Sequence, residues 1–352
     1  MGLTLLAHSL DRPRMPEYRQ DPLSQRWVIV GSERSSRPQE FVERTDRVTN
    51  TSCPFCAGNE DQTPHAVQIY PASNGRAKLF PWQVRVVPNK YPAVTTEVPP
   101  SPTSQNGSLH RHEAGFGQHE VIIESPEHIT SLSELSLADQ ILVWHAYQDR
   151  LRTLRQDGRF KYVQIFKNVG AAAGASLEHT HSQVVALPWT PPDVQSEVDR
   201  FAQHQQKSGR SLLTQIIDEE VVSGERVVAQ SQRFVAFCPW ASRFPFQVCI
   251  APRQQASSIE QLKAGEVSEL ATIVSEVIGR IERTLARPAY NLILHTEPFD
   301  IDSHDHYHWH IEIFPRLTKA AGFEWSTGCW MNPQPPETAA ALLRESGLSP
   351  AS

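Results

Sequence analysis

Short apolar runs broken by proline, glycine and serine make up most of the chain, and few segments carry helical periodicity. Arg26-Trp-Val-Ile-Val30, the run Val84-Arg-Val-Val that ends in the polar turn Asn89-Lys-Tyr-Pro92, Glu120-Val-Ile-Ile-Glu124 and Tyr162-Val-Gln-Ile-Phe166 read as strands. Residues 95–118, rich in Pro, Ser and Thr, read as a loop. From Ser136 to about Arg155 the apolar residues Leu137, Ile141, Trp144, Leu151 and Leu154 fall near one side of a helix, and Ser136 with Asp139 resembles an N-terminal cap pair. After Phe166-Lys-Asn-Val comes Gly170 to Ser176, which holds two glycines, four alanines and a serine. His179, His181 and Gln183 follow at alternating positions, a spacing that puts all three on one face of an extended strand.

The pattern then repeats. Val121, Ile123, Ser131, Leu132 and Leu135 return 127 positions later as Val248, Ile250, Ser258, Ile259 and Leu262. The strand 162–166 returns 129 positions later as Asn291-Leu-Ile-Leu-His295, and His179-Thr-His181 returns as His308-Trp-His310, with Glu312 in place of Gln183. A nearly constant offset across strand, helix and His-x-His predicts a duplicated α+β fold, each unit an antiparallel sheet with one long helix. The expected division is a disordered tail over 1–15, a first unit over 16–190 and a second over 191–352, parted near Pro188-Trp-Thr-Pro-Pro192.

Composition narrows the class only a little. With 352 residues, 39% hydrophobic and 20% charged, the chain has the make-up of a soluble globular protein. A net charge of −6 without a long basic run argues against nucleic acid as partner. No segment reaches membrane-span length, and Leu3-Thr-Leu-Leu-Ala is too short for a secretory core. Five cysteines, an odd number, then predict a reducing cytoplasm.

The chemistry concentrates in the first unit. Cys53-Pro-Phe-Cys56-Ala-Gly-Asn59 is a metal knuckle rather than a thioredoxin-type pair, because proline sits between the cysteines and Gly-Asn follows where a helix would begin. No second Cys-x-x-Cys exists, so histidines must complete a zinc site. The cysteines, His128 and the small-residue loop occur together in the first unit and are all absent from the second, where Gln255 stands for His128. That joint presence supports Cys53, Cys56, His128 and His179 as ligands of a structural zinc. His181 is then left as a neutral imidazole nucleophile toward phosphorus, beside a loop whose backbone N–H groups a phosphate can approach. Gln183 can hold phosphate oxygens but cannot deliver a proton, which favours transfer between phosphates over hydrolysis. Arg34 and Arg37 read either as a solvated turn or as a phosphate clamp.

Taken together, Asp21-Pro-Leu, Trp27-Val-Ile-Val, Arg34-Ser-Ser-Arg-Pro38, Cys53-Pro-Phe-Cys56, Ser125-Pro-Glu-His128, Phe166-Lys-Asn-Val-Gly, His179-Thr-His-Ser-Gln183 and His308-Trp-His310 resemble the galactose-1-phosphate uridylyltransferase family of the histidine-triad (HIT) superfamily, from about Tyr18 to Leu343. The resemblance implies two HIT-like half-barrel units and a ping-pong reaction. A UDP-sugar gives its nucleotide to His181, hexose 1-phosphate leaves, and a second sugar 1-phosphate collects the nucleotide. It further implies phosphate contacts from Arg34 and Arg37, and a nucleotide site lined by Asn89, Asn168, Ser176 and Gln183. A second metal, iron or zinc, is implied at Glu197, His295, His308 and His310, and the protein is implied to be a homodimer. Thr180 stands where the best-known members have proline, and Lys90 where they have aspartate. A small polar residue between the histidines also resembles the related ADP-glucose phosphorylases, which use an adenine nucleotide and orthophosphate. A HIT-type nucleotide hydrolase and a non-catalytic zinc module are the remaining readings.

Overall fold

The computed structural model describes residues 16–31, 53–72, 79–98 and 112–347. Arg34, Arg37 and the expected tail over 1–15 lie outside the described residues.

The fold is mixed α+β. Ten strands form one fully antiparallel sheet. Its first half comprises β3 (Gln68–Tyr70), β4 (Val84–Pro88), β5 (Gln118–Ile123), β6 (Tyr162–Val169) and β7 (His181–Leu187). Its second half comprises β8 (Val227–Gln230), β9 (Phe234–Phe237), β10 (Val248–Pro252), β11 (Tyr290–His295) and β12 (His310–Pro315). The order across the sheet is β3-β4-β5-β7-β6-β11-β12-β10-β9-β8, so each half mirrors the other about the β6–β11 seam. A separate three-stranded sheet joins β1 (Glu17–Gln20) and β2 (Trp27–Val30) to β13 (Trp330–Asn332), which runs parallel to β2.

Two long helices, α1 (Leu137–Gln156) and α4 (Ala264–Thr284), cover one face of the large sheet. Ser136 caps α1, its hydroxyl accepting the Asp139 N–H at 3.2 Å, as expected. The buried stripe of α1 is centred on Val143, Trp144, Tyr147, Leu151 and Leu154, whereas Leu137, the first residue of the helix, is exposed. Polar groups on α1 are buried too. Gln148 donates to the carbonyls of Ile259 and Leu262 at 2.9 and 3.0 Å, and Gln140 to Ser275 Oγ at 3.0 Å. These bonds join the two halves across the helix layer, and they dilute the apolar periodicity that would otherwise mark the helix.

The opposite face is covered unequally. Over the second half, α2 (Pro192–Ser208) and α3 (Leu212–Ser223) pack Val198, Phe201, Leu212, Leu213 and Ile217 against Phe237, Cys249 and Ala251. Over the first half the equivalent surface carries the smaller cluster of Cys53, Phe55, Trp82, Val87, Val121 and Ile123. Short helices α5 (Gly322–Thr327) and α6 (Pro336–Glu345) complete the chain.

Gly170, where β6 turns into the small-residue loop, has φ +79°. A Cβ there would lie 2.8 Å from the Ala289 Cβ, just before β11. Gly170→Ala is therefore expected to cost about 1–3 kcal/mol, from positive φ and from the clash across the seam. Urea unfolding measures it, and a loss below about 0.5 kcal/mol would contradict this packing.

Candidate active site and metal clusters

β7 has two faces with different duties. Ser182, Val184 and Ala186 point to the helices, with Val184 and Ala186 in the main core. His181 and Gln183 point to the other face, beside Val121, the register partner of Gln183. Asn168 on β6 shares that face, two residues beyond Phe166, which also pairs with Gln183.

Just ahead of β7, His179 is buried and donates from Nε2 to the Ser125 carbonyl at 2.9 Å, which leaves the Nδ1 lone pair free. That Nδ1 lies 3.6 Å from both Cys53 Sγ and Cys56 Sγ, and His128 Nδ1 lies 3.5 Å from Cys56 Sγ. The four ligand atoms all fall within 4.8 Å of one another. Tetrahedral zinc, with Zn–S of about 2.3 Å and Zn–N of about 2.0 Å, sets neighbouring S and N about 3.5 Å apart, so these residues fit the ion. Burial holds His179 down to about 4, in the neutral form a ligand needs. Burial and the adjacent Cys53 push the Cys56 thiol up to about 11, a cost that a cation between the sulfurs reverses.

His181 donates from Nδ1 to the carbonyl of His179 at 2.7 Å. This fixes the tautomer and leaves Nε2 as the nitrogen with a lone pair. Burial lowers its pKa, the backbone bond opposing, so the ring is neutral at pH 7. The Phe55 ring sits 5.2 Å away, edge to face. On the helix side of the same strand lies a buried polar network. Lys167 Nζ donates to Glu124 at 2.6 Å, to Thr180 Oγ1 at 2.7 Å and to the His181 carbonyl at 3.1 Å. Thr180 and Ser182 also donate to Glu124, and Tyr147 of α1 meets Ser182. Lys167 and Glu124 are both fully buried. Each half of this pair is hydrogen-bonded on several sides, the condition under which buried charge is tolerated.

Three carboxamides ring the open face, and backbone groups determine how each is turned. Asn89 Oδ1 accepts the Tyr91 N–H at 2.8 Å. Asn291 Nδ2 donates to the Ala173 carbonyl at 2.9 Å and to Asn168 Oδ1 at 2.8 Å, so Asn168 keeps its N–H2 group for the loop side. Gln183 Oε1 lies 2.9 Å from His119 Nε2. Ser176 is exposed in the loop. The structure thus brings His181, Gln183, Asn168 and Asn89 to one face of the first half. Sequence reasoning did not single out His119, Lys167, Glu124 or Asn291. A lysine in the apolar run Tyr162-Val-Gln-Ile-Phe-Lys167 and a glutamate at the matching end of Glu120–Glu124 were the available signals.

In the second half, ligand atoms of Glu197, His295 and His310 lie within 4.8 Å of one another. His295 Nδ1 is 3.1 Å from Glu197, its Nε2 is 3.4 Å from Glu312, and its ring stacks on His310 at 4.3 Å. Burial opposes the charge on His295, but Glu197 and Glu312 raise it to about 10. His308 does not join this group, contrary to expectation. Its Nε2 donates to the Pro252 carbonyl at 2.8 Å, and its Nδ1 faces Ser211 Oγ at 3.2 Å and Thr214 Oγ1 at 3.4 Å on and beside α3.

A family description of galactose-1-phosphate uridyl transferase, N-terminal domain, matches residues 7–191, and a domain of unknown function (DUF4921) matches residues 104–345. The chain is 34% identical to an ADP-glucose phosphorylase of Arabidopsis thaliana, over 95% of this chain and 94% of that one. It is 27% identical to a galactose-1-phosphate uridylyltransferase of Thermotoga maritima, over 94% and 98%. A crystal structure of the Arabidopsis thaliana ADP-glucose phosphorylase with bound ADP-glucose superposes with a TM-score of 0.78 at 32% identity, covering 94% of this chain and 99% of that one. The fold and site define a nucleotidyltransferase-type enzyme. The chain belongs to the galactose-1-phosphate uridyl transferase family.

The first cluster is expected to hold one zinc per chain. Cys53→Ser or Cys56→Ser should lose it, read by elemental mass spectrometry, and unfold roughly 5–10 °C lower. Full metal content in both variants would remove the cluster from consideration.

Proposed function

We propose that the protein is a nucleoside-diphosphate-sugar nucleotidyltransferase that works through a covalent nucleotidyl-His181. The observation that carries this is the His181 ring itself, neutral and tethered at Nδ1, which leaves the lone pair on Nε2. The Nε2 lone pair attacks the α-phosphorus of the donor, and the bond from that phosphorus to the bridging oxygen breaks. The oxygen keeps the electron pair and departs as hexose 1-phosphate, which is stable as an anion and needs no proton. Nδ1–H stays on the ring, and its bond to the His179 carbonyl stabilises the positive charge the ring acquires. An acceptor phosphate oxygen then attacks phosphorus, and the P–N bond breaks. The amide of Gln183, with those of Asn168 and Asn89, donates to phosphate oxygens. Ser176, with Arg34 and Arg37, belongs to the same phosphate site on the family resemblance. Zinc at Cys53, Cys56, His128 and His179 supplies no chemistry to these steps. It holds the start of β7.

Among donors, an ADP-sugar with orthophosphate as acceptor is favoured by the 34% identity to an ADP-glucose phosphorylase, and by Thr180 and Lys90. Thr180 fits because its hydroxyl is a working member of the Lys167–Glu124 network, which proline cannot supply. UDP-glucose with a hexose 1-phosphate acceptor is the second reading, supported by the full-length likeness to uridylyltransferases. We also infer two HIT-like units, over 16–190 and 191–352, descended from a duplication. The mirrored strand order and the matching Ser131- and Ser258-capped turns support it. A second metal ion, iron or zinc, at Glu197, His295 and His310 is supported by their convergence. A cytoplasmic homodimer handling small molecules completes the reading. The five unbridged cysteines support the compartment.

Incubation with ADP-glucose or UDP-glucose, without acceptor, is expected to add one nucleoside monophosphate by intact-protein mass, and the added mass names the base. His181→Ala and His181→Asn should abolish it and lower turnover by at least about 10⁴-fold. Undiminished labelling in either variant would remove His181 as the nucleophile.

A further inference from the structure

We infer that His119 is a positioning residue, and that its tautomer decides which end of the Gln183 amide meets the substrate phosphate. The inference rests on the nucleotidyl-transfer reading above and adds to it a residue that touches no substrate.

The Ala93 N–H donates to His119 Nδ1 at 3.1 Å. A backbone N–H cannot become an acceptor, so Nδ1 carries the lone pair and the proton of the neutral ring sits on Nε2. Nε2 lies 2.9 Å from Gln183 Oε1, and its N–H donates there. The Asn89 amide nitrogen also stands 3.1 Å from Nε2, while its oxygen is occupied by the Tyr91 N–H. Two N–H groups therefore converge, and the Asn89 hydrogens must point past the ring.

With its oxygen held, Gln183 offers its N–H2 group to a ligand. An untethered glutamine amide can present either end, and a carbonyl oxygen turned toward phosphate oxygens repels them. A donor already aimed at developing charge needs no reorganisation in the transition state. β5 builds the arrangement: His119 shares the face of Val121 and Ile123, and Val121 is the register partner of Gln183. Asn291 holds Asn168 by the same logic, from a backbone carbonyl instead of an N–H.

Two measurements on the full chain test the assignment. Long-range 1H–15N spectra, assigned with H119L, should find His119 neutral with its proton on Nε2. A proton on Nδ1 overturns the proposal whatever the enzyme does. Rapid-quench rates of nucleotidyl-protein formation from ADP-glucose and UDP-glucose should fall roughly 10- to 100-fold in H119L. H119Q, which keeps an N–H near the Nε2 position, should return to within about threefold of the parent. In a Q183A background, H119L should add no further slowing. An unchanged rate in H119L, no rescue by H119Q, or equal slowing with and without Gln183 each overturns it. If the parent protein takes up no nucleotide, the covalent reading fails instead, and the tautomer alone decides the role of His119.

Discussion

One short hydrogen bond, from His181 Nδ1–H to the carbonyl two residues before it, is the constraint on which the site depends. It works only if the backbone from His179 to His181 is immobile, since a carbonyl that drifts releases the tautomer. Each face of the chain is held by a different means. On the open side, the His179 ring is fixed among Cys53, Cys56 and His128 and anchored to the Ser125 carbonyl. On the helix side, Lys167 grips the His181 carbonyl and Thr180 together, with Glu124 balancing its charge. A buried ion pair is a poor source of stability, because well-packed apolar groups do as well or better. Its presence under His181 is better explained by the geometry it imposes.

The second half makes the comparison within one molecule. His310 donates from Nδ1 to the His308 carbonyl at 3.2 Å, the same tether on the same strand of the mirrored sheet. The supports differ. The positions of Glu124, Lys167 and Thr180 become Ala251, Thr296 and Trp309, so the charged network is replaced by apolar and small residues. Where His179 meets two thiols, His308 meets hydroxyls near the start of α3. Glu312 replaces Gln183 and is taken up by Arg243 at 2.8 Å and Gln247 at 2.7 Å. A carboxylate there would repel phosphate, and α2 and α3 already cover the neighbouring strands. The tether survives in both halves. The Lys167–Glu124 support beneath the tethered ring occurs only in the first.

Much of this was legible in the sequence, for a physical reason. His-x-His-x-Gln, Cys-x-x-Cys and the constant repeat offset are local or translational patterns, and strand alternation converts them directly into shared faces. The helix over 136–155 and the strands near 26, 84, 120, 162 and 291 were readable for the same reason. What was not legible depends on partners distant in sequence. Lys167 and Glu124 are 43 positions apart and meet only because β5, β7 and β6 are adjacent. His308 looked equivalent to His310, but only the fold shows it turned to Ser211. α2 and α3 went unread because their apolar faces match a sheet surface whose location no local pattern discloses.

The chemistry and the choice of nucleobase are separable in this architecture. On the proposed reading, His181, Gln183, Asn168 and Asn89 all address phosphorus or its oxygens, and phosphate is common to every nucleotide. The leaving group is itself a phosphate, so no acid has to be matched to a particular sugar. Nothing in this set distinguishes uracil from adenine, and an enzyme could exchange one for the other without disturbing a catalytic bond. Full-length likeness to both an adenine-nucleotide phosphorylase and a uridylyltransferase is what such a division allows. Selectivity then falls to surfaces beside the phosphate site, where the Phe55 ring, part of a small apolar cluster, meets His181. An apolar pocket discriminates one methylene by only about 1–3 kcal/mol, so reshaping such contacts is a smaller barrier to divergence than rebuilding the tethered imidazole.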